Sequence, residues 1–166
     1  MMHRVTLLLG CNIGDREATL RRATDLLNER AGEIVGCSKI YFTRAWGFQS
    51  EEMFANQAVV LLTELEPEPL LDATQSIEQL LGRNRAKERE IKHLSGERYC
   101  SRTMDIDIMF YDDEVIATPR LTIPHPLMQE RLFALEPLCE IESERIHPVL
   151  GRTLGEIYED LKRRIS

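Results

Sequence analysis

The apolar residues of this chain switch back and forth between strand and helix periods, and the order of the switches limits the folds open to it. Val5 to Leu9, apolar except for Thr6, is a run of strand length that reads as buried. The turn Gly10-Cys11-Asn12-Ile13-Gly14 comes next, and Asp15 is a side chain suited to cap a helix. Leu20, Ala23, Leu26 and Leu27 then recur at helical spacing as far as Arg30, with Gly32 as a stop. Residues Ile34 to Thr43 are rich in β-formers and predict a long second strand; a loop over 44–52 leads to a third, Phe54 to Thr63. Pro67 opens a second helix whose stripe is Leu70, Ala73, Ile77, Leu80 and Leu81, and Gly82 ends it. Finally, Met104, Ile106, Ile108 and Phe110 alternate with Thr103, Asp105, Asp107 and Met109, which predicts a fourth strand. The order β-α-β-β-α-β is the ferredoxin-like α+β arrangement, with two helices on one face of the sheet and the other face free.

Beyond Phe110 the chain reads as a C-terminal extension. Asp112-Asp113 predicts a turn, Glu114-Val115-Ile116 a short strand and Leu127 to Leu135 a short helix. Two prolines stiffen Thr122-Ile123-Pro124-His125-Pro126. Thr153 and Glu156 match a capping box, opening a terminal helix with Leu154, Ile157, Tyr158 and Leu161 on its inner face. The 166 residues contain neither repeat nor linker, so one domain spanning 1–166 is expected. A net charge of −7 argues against long nucleic acid as a partner. No apolar stretch is long enough for a membrane span, and the N-terminal run lacks a small-residue cleavage site, so a cytoplasmic location is expected. Cys11, Cys37, Cys100 and Cys139 form neither zinc-ligand nor disulfide spacing and read as reduced, mostly packed thiols.

The fourth strand carries the strongest chemical signal. Asp105 and Asp107, two residues apart, project from one face about 7 Å from each other. Such a pair is also common as a plain solvated face. Held together on a rigid element, however, two carboxylates repel unless a cation lies between them. Magnesium suits the pair because it accepts one or two carboxylates and completes its shell with water and phosphate. Arg102 stands at the strand's start, where a guanidinium can grip phosphate through two hydrogen bonds. Residues 83–102 hold seven cationic side chains against three anionic ones in a chain that is negative overall. Alone this is a solvated charge run; ending on the carboxylate strand, it suggests a polyphosphate substrate under a closing lid. His125 sits in its stiff loop between Arg120 and Arg131, placed to donate a hydrogen bond to phosphate without proton transfer. Phe54 and Asn56 share a strand face, and a ring beside an amide suits a flat heterocycle. Neither a Gly-x-x-x-x-Gly-Lys phosphate loop nor a nucleophile motif is present.

Taken in order, four motifs resemble the 6-hydroxymethyl-7,8-dihydropterin pyrophosphokinase family of folate biosynthesis. They are Leu9-Gly10-Cys11-Asn12-Ile13-Gly14-Asp15, Phe54-Ala55-Asn56-Gln57-Ala58-Val59, Arg102-Thr103-Met104-Asp105-Ile106-Asp107-Ile108, and Pro124-His125-Pro126 with Arg131 and Phe133 beyond it. The resemblance implies transfer of pyrophosphate from ATP to the pterin hydroxymethyl group, with release of AMP. It implies two Mg²⁺ ions on Asp105 and Asp107, bound with ATP as co-substrate, and Arg83 and Arg102 as catalytic contacts to phosphate. By the same resemblance, Gln75, Arg85, Tyr99, Ile108, Arg120, Thr122, His125 and Arg131 line the nucleotide site. Phe54 and Phe133 sandwich the pterin, Asn56 with Thr43 and Trp46 reads its edges, and Glu78 supports the site from behind. A monomer is expected, with a dimer as the alternative. Two other readings stay open on the residues alone: a ferredoxin-like module that binds nucleotide without chemistry, and another magnesium-dependent phosphoryl or nucleotidyl transferase.

Overall fold

Residues 1–12, 14–44, 53–82 and 104–165 are described by the computed structural model. Their elements are β1 (His3–Cys11), α1 (Arg16–Arg30), β2 (Glu33–Cys37), β3 (Tyr41–Arg44), β4 (Met53–Thr63), α2 (Pro67–Leu80), β5 (Met104–Tyr111), β6 (Ile116–Ala117), β7 (Thr122–Ile123), a 3-10 turn (Met128–Glu130), α3 (Leu132–Glu142) and α4 (Leu154–Ile165). One sheet has the order β2-β4-β1-β5, with β3 also on β4, and all its pairs are antiparallel. This is the ferredoxin-like order that the alternating periods predict.

Local chemistry sets the boundaries. Asp15 Oδ1 accepts from the Ala18 backbone N–H at 3.1 Å and caps α1 as expected. Gly32 closes the helix by donating to Leu27 O, and a Cβ there would lie 2.1 Å from Leu62 O, so only glycine lets the chain turn this close to β4. Thr153 and Glu156 form the capping box of α4 in both directions.

The two sheet faces bury separate cores. On the first, Val5, Leu7, Leu9, Val59, Leu61, Ile106 and Ile108 pack against Leu20, Leu27, Leu70 and Ile77 of α1 and α2. On the second, Leu8, Ala58, Met109 and Phe110 pack against Ala134, Leu135, Leu138, Leu154, Ile157 and Leu161 of α3 and α4. The second face is therefore not free, as the sequence suggested. The C-terminal extension covers part of it, because Leu8, Ala58 and Met109 make that part apolar enough to require cover.

Several local readings are corrected as well. The long second strand is two, β2 and β3, broken at Ser38. Here the Ser38 N–H still donates to Ala58 O at 2.8 Å, but the hydroxyl rather than the carbonyl accepts from the Ala58 N–H at 3.0 Å. Gly10 lies inside β1 and not in the turn. Leu80 is exposed, while Thr74 and Glu78 are buried on α2. The helix expected at 127–135 is the short 3-10 turn and then α3, which runs through Pro137 to Glu142 because Ala134, Leu135 and Leu138 are buried on both sides of that proline. The strand expected at 114–116 is β6, and it pairs with β7. Cys37 is exposed rather than packed.

Phe110 is the clearest departure. Thr6 pairs with Phe110 but Leu7 pairs with Ile108, so Met109 is an extra residue in β5. The bulge puts Met109 and Phe110 on the same face. Tyr111 returns to the α1/α2 core, and its hydroxyl donates to Leu65 O at 2.7 Å.

Candidate active site

The uncovered chemistry gathers at one end of the second face. Upstream of the bulge the strand keeps its alternation: Met104, Ile106 and Ile108 are buried toward α1 and α2, and Asp105 and Asp107 are half-buried on the opposite side. Register then joins three strands. Gly10 pairs with Asn56 on one side and Asp105 on the other; Leu8 pairs likewise with Ala58 and Asp107. Directly opposed residues point the same way. Asn56, Gly10 and Asp105 therefore form a row across the sheet, with amide and carboxylate about 10 Å apart at two strand spacings. The missing side chain in the middle has a reason, since a Cβ on Gly10 would meet Asn56 Oδ1 at 3.2 Å. Asn56 is buried, and its Nδ2 donates to Thr43 Oγ1 at 3.0 Å. That bond presents Oδ1 as the acceptor edge. Phe54 pairs with Thr43 and is half-buried beside them.

The outer edge of β5 is held by two neighbouring elements. Glu78 of α2 accepts from the Ile106 backbone N–H at 2.8 Å, midway between the two aspartates. Met109 O accepts from the His125 backbone N–H at 3.1 Å, which ties the His125 loop to the bulge. His125 Nδ1 accepts from the Leu127 N–H at 3.2 Å, so a neutral ring carries its proton on Nε2. Burial, and then the charge of Arg131, hold the His125 pKa below its ordinary 6.5, so the ring is neutral near pH 7 and a donor through Nε2.

Arg131 leads into α3 and lies over the Phe133 ring, 5.5 Å from its centroid. Phe133 is 37% exposed at the helix's first turn. At the other end of α3, Glu142 accepts from Thr6 Oγ1 at 2.9 Å near the start of β1. From there the helix packs over β4 and reaches β3, and Phe133 lies nine residues, about 13 Å, from Glu142 along its axis. Arg120 reaches α2, bonding Asp72 Oδ1 at 2.6 Å and Gln75 Oε1, a second residue expected at the nucleotide site, at 3.5 Å. Thr122 is exposed on β7, and Ile108 is buried under the strand. Arg83, Arg85, Arg102, Tyr99 and Trp46 lie outside the described residues, as does the expected lid. Among the described residues, no group of three or more His, Cys, Asp or Glu side chains is placed to hold a metal ion. The aspartate pair alone fits a cation whose other ligands come from water and phosphate. Sequence reasoning missed Gly10 as a site position and Tyr41 with Glu140 near it; strand parity from Thr43 and helix spacing from Phe133 were the available signals.

The profile of the 7,8-dihydro-6-hydroxymethylpterin-pyrophosphokinase (HPPK) family matches residues 6–143, which span every element of this site. The chain belongs to this family. It is an ATP-dependent pyrophosphokinase, a transferase of folate biosynthesis. Among curated relatives, the 2-amino-4-hydroxy-6-hydroxymethyldihydropteridine pyrophosphokinase of Bacillus subtilis is 44% identical over 136 residues, covering 81% of this chain and 75% of that protein. The enzyme of the same name from Aquifex aeolicus is 39% identical over 155 residues, covering 93% and 90%. Among solved structures, Plasmodium falciparum HPPK-DHPS with pteroate superimposes with a TM-score of 0.76 at 17% identity, covering 99% of this chain and 43% of that one. The wild-type structure of the same protein gives 0.76 at 17% identity, with 99% and 46% covered. The chain thus spans less than half of those longer proteins, and this likeness concerns the fold.

Proposed function

We propose that this pyrophosphokinase works as a single cytoplasmic domain and a monomer, with the row Asn56–Gly10–Asp105 as the floor on which its two substrates meet. Phe54 and Phe133 hold 6-hydroxymethyl-7,8-dihydropterin between their rings, and Asn56 reads its polar edge. Asp105 and Asp107 hold two Mg²⁺ ions, which when bound neutralise the triphosphate and the attacking oxygen. His125 donates from Nε2 to phosphate, and Arg131, Thr122, Gln75, Arg120, Ile108, Arg85 and Tyr99 complete the nucleotide site. Arg83 and Arg102 meet the charge that develops as AMP leaves. Thr43 and Trp46 border the pterin.

The reaction asks little covalent help from the protein. The pterin hydroxyl oxygen attacks the β-phosphorus and its proton is released to solvent, the bond from that phosphorus to the AMP oxygen breaks, and AMP departs with the bonding electron pair. Alignment and charge compensation supply most of the acceleration. One observation supports the reading more than any other: an amide acceptor and a carboxylate pair share one sheet face about 10 Å apart, with a glycine between them that leaves room for a flat ligand.

The test is incubation with ATP, Mg²⁺ and the reduced pterin, and then mass analysis for AMP and the diphosphorylated pterin. Asp105→Ala and Asp107→Ala should each lower the rate by about a thousandfold or more. Asn56→Ala should raise the pterin KM and spare that of ATP. Formation of ADP in place of AMP, or full activity in either aspartate variant, would refute the assignment.

A further inference from the structure

Helix α3 is fastened to the sheet by two carboxylates from its C-terminal half, and only one of them has a plain structural purpose. Glu142 is buried; it accepts from Thr6 and faces Arg4 at 3.4 Å and Arg145 at 3.5 Å. That network closes the end of the core. Glu140 reaches elsewhere, toward the strand side. Its Oε1 accepts from the Tyr41 hydroxyl at 2.6 Å and its Oε2 from the Lys39 backbone N–H at 3.0 Å, both in exposed positions. Lys39 Nζ in turn sits 5.2 Å from the Tyr41 ring centroid. Hydrogen bonding to Glu140 holds the Tyr41 pKa up to about 12, so the phenol remains a donor at any working pH.

The two ends of this contact lie on the elements that border the pterin slot. Tyr41 pairs with Asn56 in the β3–β4 ladder, and Thr43, two residues on and on the same face, bonds Asn56 Nδ2. Glu140 is seven residues after Phe133, two turns along the same helix face. Between them stands Pro137, which has no N–H to offer the Phe133 carbonyl. The first turn of α3 is thus less firmly tied by its own helix bonds, and its orientation depends more on what holds the helix further down. Glu140 supplies that hold, and it does so from the strand that also buttresses Asn56.

We propose that Tyr41 and Glu140 are a positioning pair for the pterin: their bond sets α3 against β3, and thereby the spacing between Phe133 on one side of the slot and Asn56 with Thr43 on the other. The inference rests on the pterin site proposed for this chain. An exposed contact of this kind adds little to stability, so its loss registers in the ligand rather than in the fold.

Tyr41→Phe, Glu140→Gln and the double variant test it in the full-length protein. Pterin binding is measured by fluorescence with a non-hydrolysable ATP analogue present, alongside steady-state constants for each substrate. Each single variant should raise the pterin Kd and KM by about five- to tenfold. The double variant should be no worse than the poorer single. The ATP KM should stay within about twofold and the melting temperature within a few degrees. Unchanged pterin constants in a folded, active variant would overturn the pairing and leave the site assignment standing, as would equal weakening of ATP and pterin, or losses that add in the double variant. Failure of the wild-type chain to bind pterin at all would overturn the site and the pairing together.

Discussion

At the scale of single residues, the site is a set of polar groups whose partners fix their chemistry. His125 and His147 show this, the first bonded to the Met109 carbonyl and the second packed against the Phe110 ring. Burial lowers the pKa of both below 6.5, with Arg131 adding to the effect on His125. His147 Nδ1 accepts from the backbone N–H groups of Val149 and Leu150 at 3.2 and 3.1 Å, which a neutral ring can do and a protonated one cannot. In the folded chain the neutral form is favoured; the unfolded chain takes up protons near 6.5. Stability is therefore complete above that value and declines as pH falls through it toward the folded-state pKa values. Urea titrations from pH 8 to pH 5 should show a falling midpoint below about pH 6.5, with a shallower fall in His147→Gln, whose amide oxygen can still accept. A flat wild-type profile would contradict this. For catalysis, His125→Ala should raise the ATP KM more than it lowers kcat, because the ring donates to bound phosphate and transfers no proton. Much at this scale was readable beforehand: that Asp105 and Asp107 share a face comes directly from their spacing, as does the shared face of Phe54 and Asn56. That Asn56 stands in line with Asp105 was not readable, because it depends on which strand lies between them.

Among the elements, β5 matters most, since it carries the aspartates yet lies at an edge of the main sheet. Glu78 occupies the outward Ile106 N–H and so fixes the peptide between them. Glu78→Leu leaves that N–H without its acceptor, which costs about 1–3 kcal/mol. The same change should lower kcat by roughly tenfold or more as the aspartate pair loses its set position. Thermal melting and steady-state kinetics together check both effects; a variant with normal kcat and a lower Tm would reduce Glu78 to a purely structural role. Sequence reasoning found the helix that bears Glu78 but predicted its inner stripe partly wrongly, placing Leu80 inside. The helix turns Thr74, Ile77 and Glu78 inward, because it must serve a strand edge as well as an apolar core. Likewise the helix after His125 was expected to end at Leu135, before its proline. Burial of Leu138 continues it to Glu142, and no local pattern foretells that tertiary gain.

Over the whole molecule, the β-α-β-β-α-β order was legible because each segment is long and strongly periodic, whereas the role of the C-terminal extension was not. Read alone, it is a set of short elements; in place, α3 and α4 cover the apolar half of a face whose other half bears the site. Leu135→Ala and Leu138→Ala should each destabilise the chain by about 2–5 kcal/mol, measured by denaturant unfolding, and Leu135→Ala, nearer Phe133, should also raise the pterin KM. Neither change should touch the ATP KM, and a loss confined to ATP would count against this division of the face. The bulge at Met109 makes the division possible. Up to Asp107 the strand offers acids to that face; two residues later it offers Met109 and Phe110, and a ring under Arg145 and against His147 takes over from the acids. The stretch from Asp107 to Tyr111 therefore behaves like a line of text with one letter doubled. Exchanging one apolar side chain for another there spells nearly the same protein. Deleting Met109 only removes the doubled letter: Phe110 stays opposite Thr6 and Tyr111 opposite Val5 in a regular ladder. What goes is the Met109 side chain in the second core and the carbonyl that ties down the His125 loop, so a near-normal Met109→Leu protein beside a folded deletion with a lower melting temperature and a raised ATP KM is the expected pair.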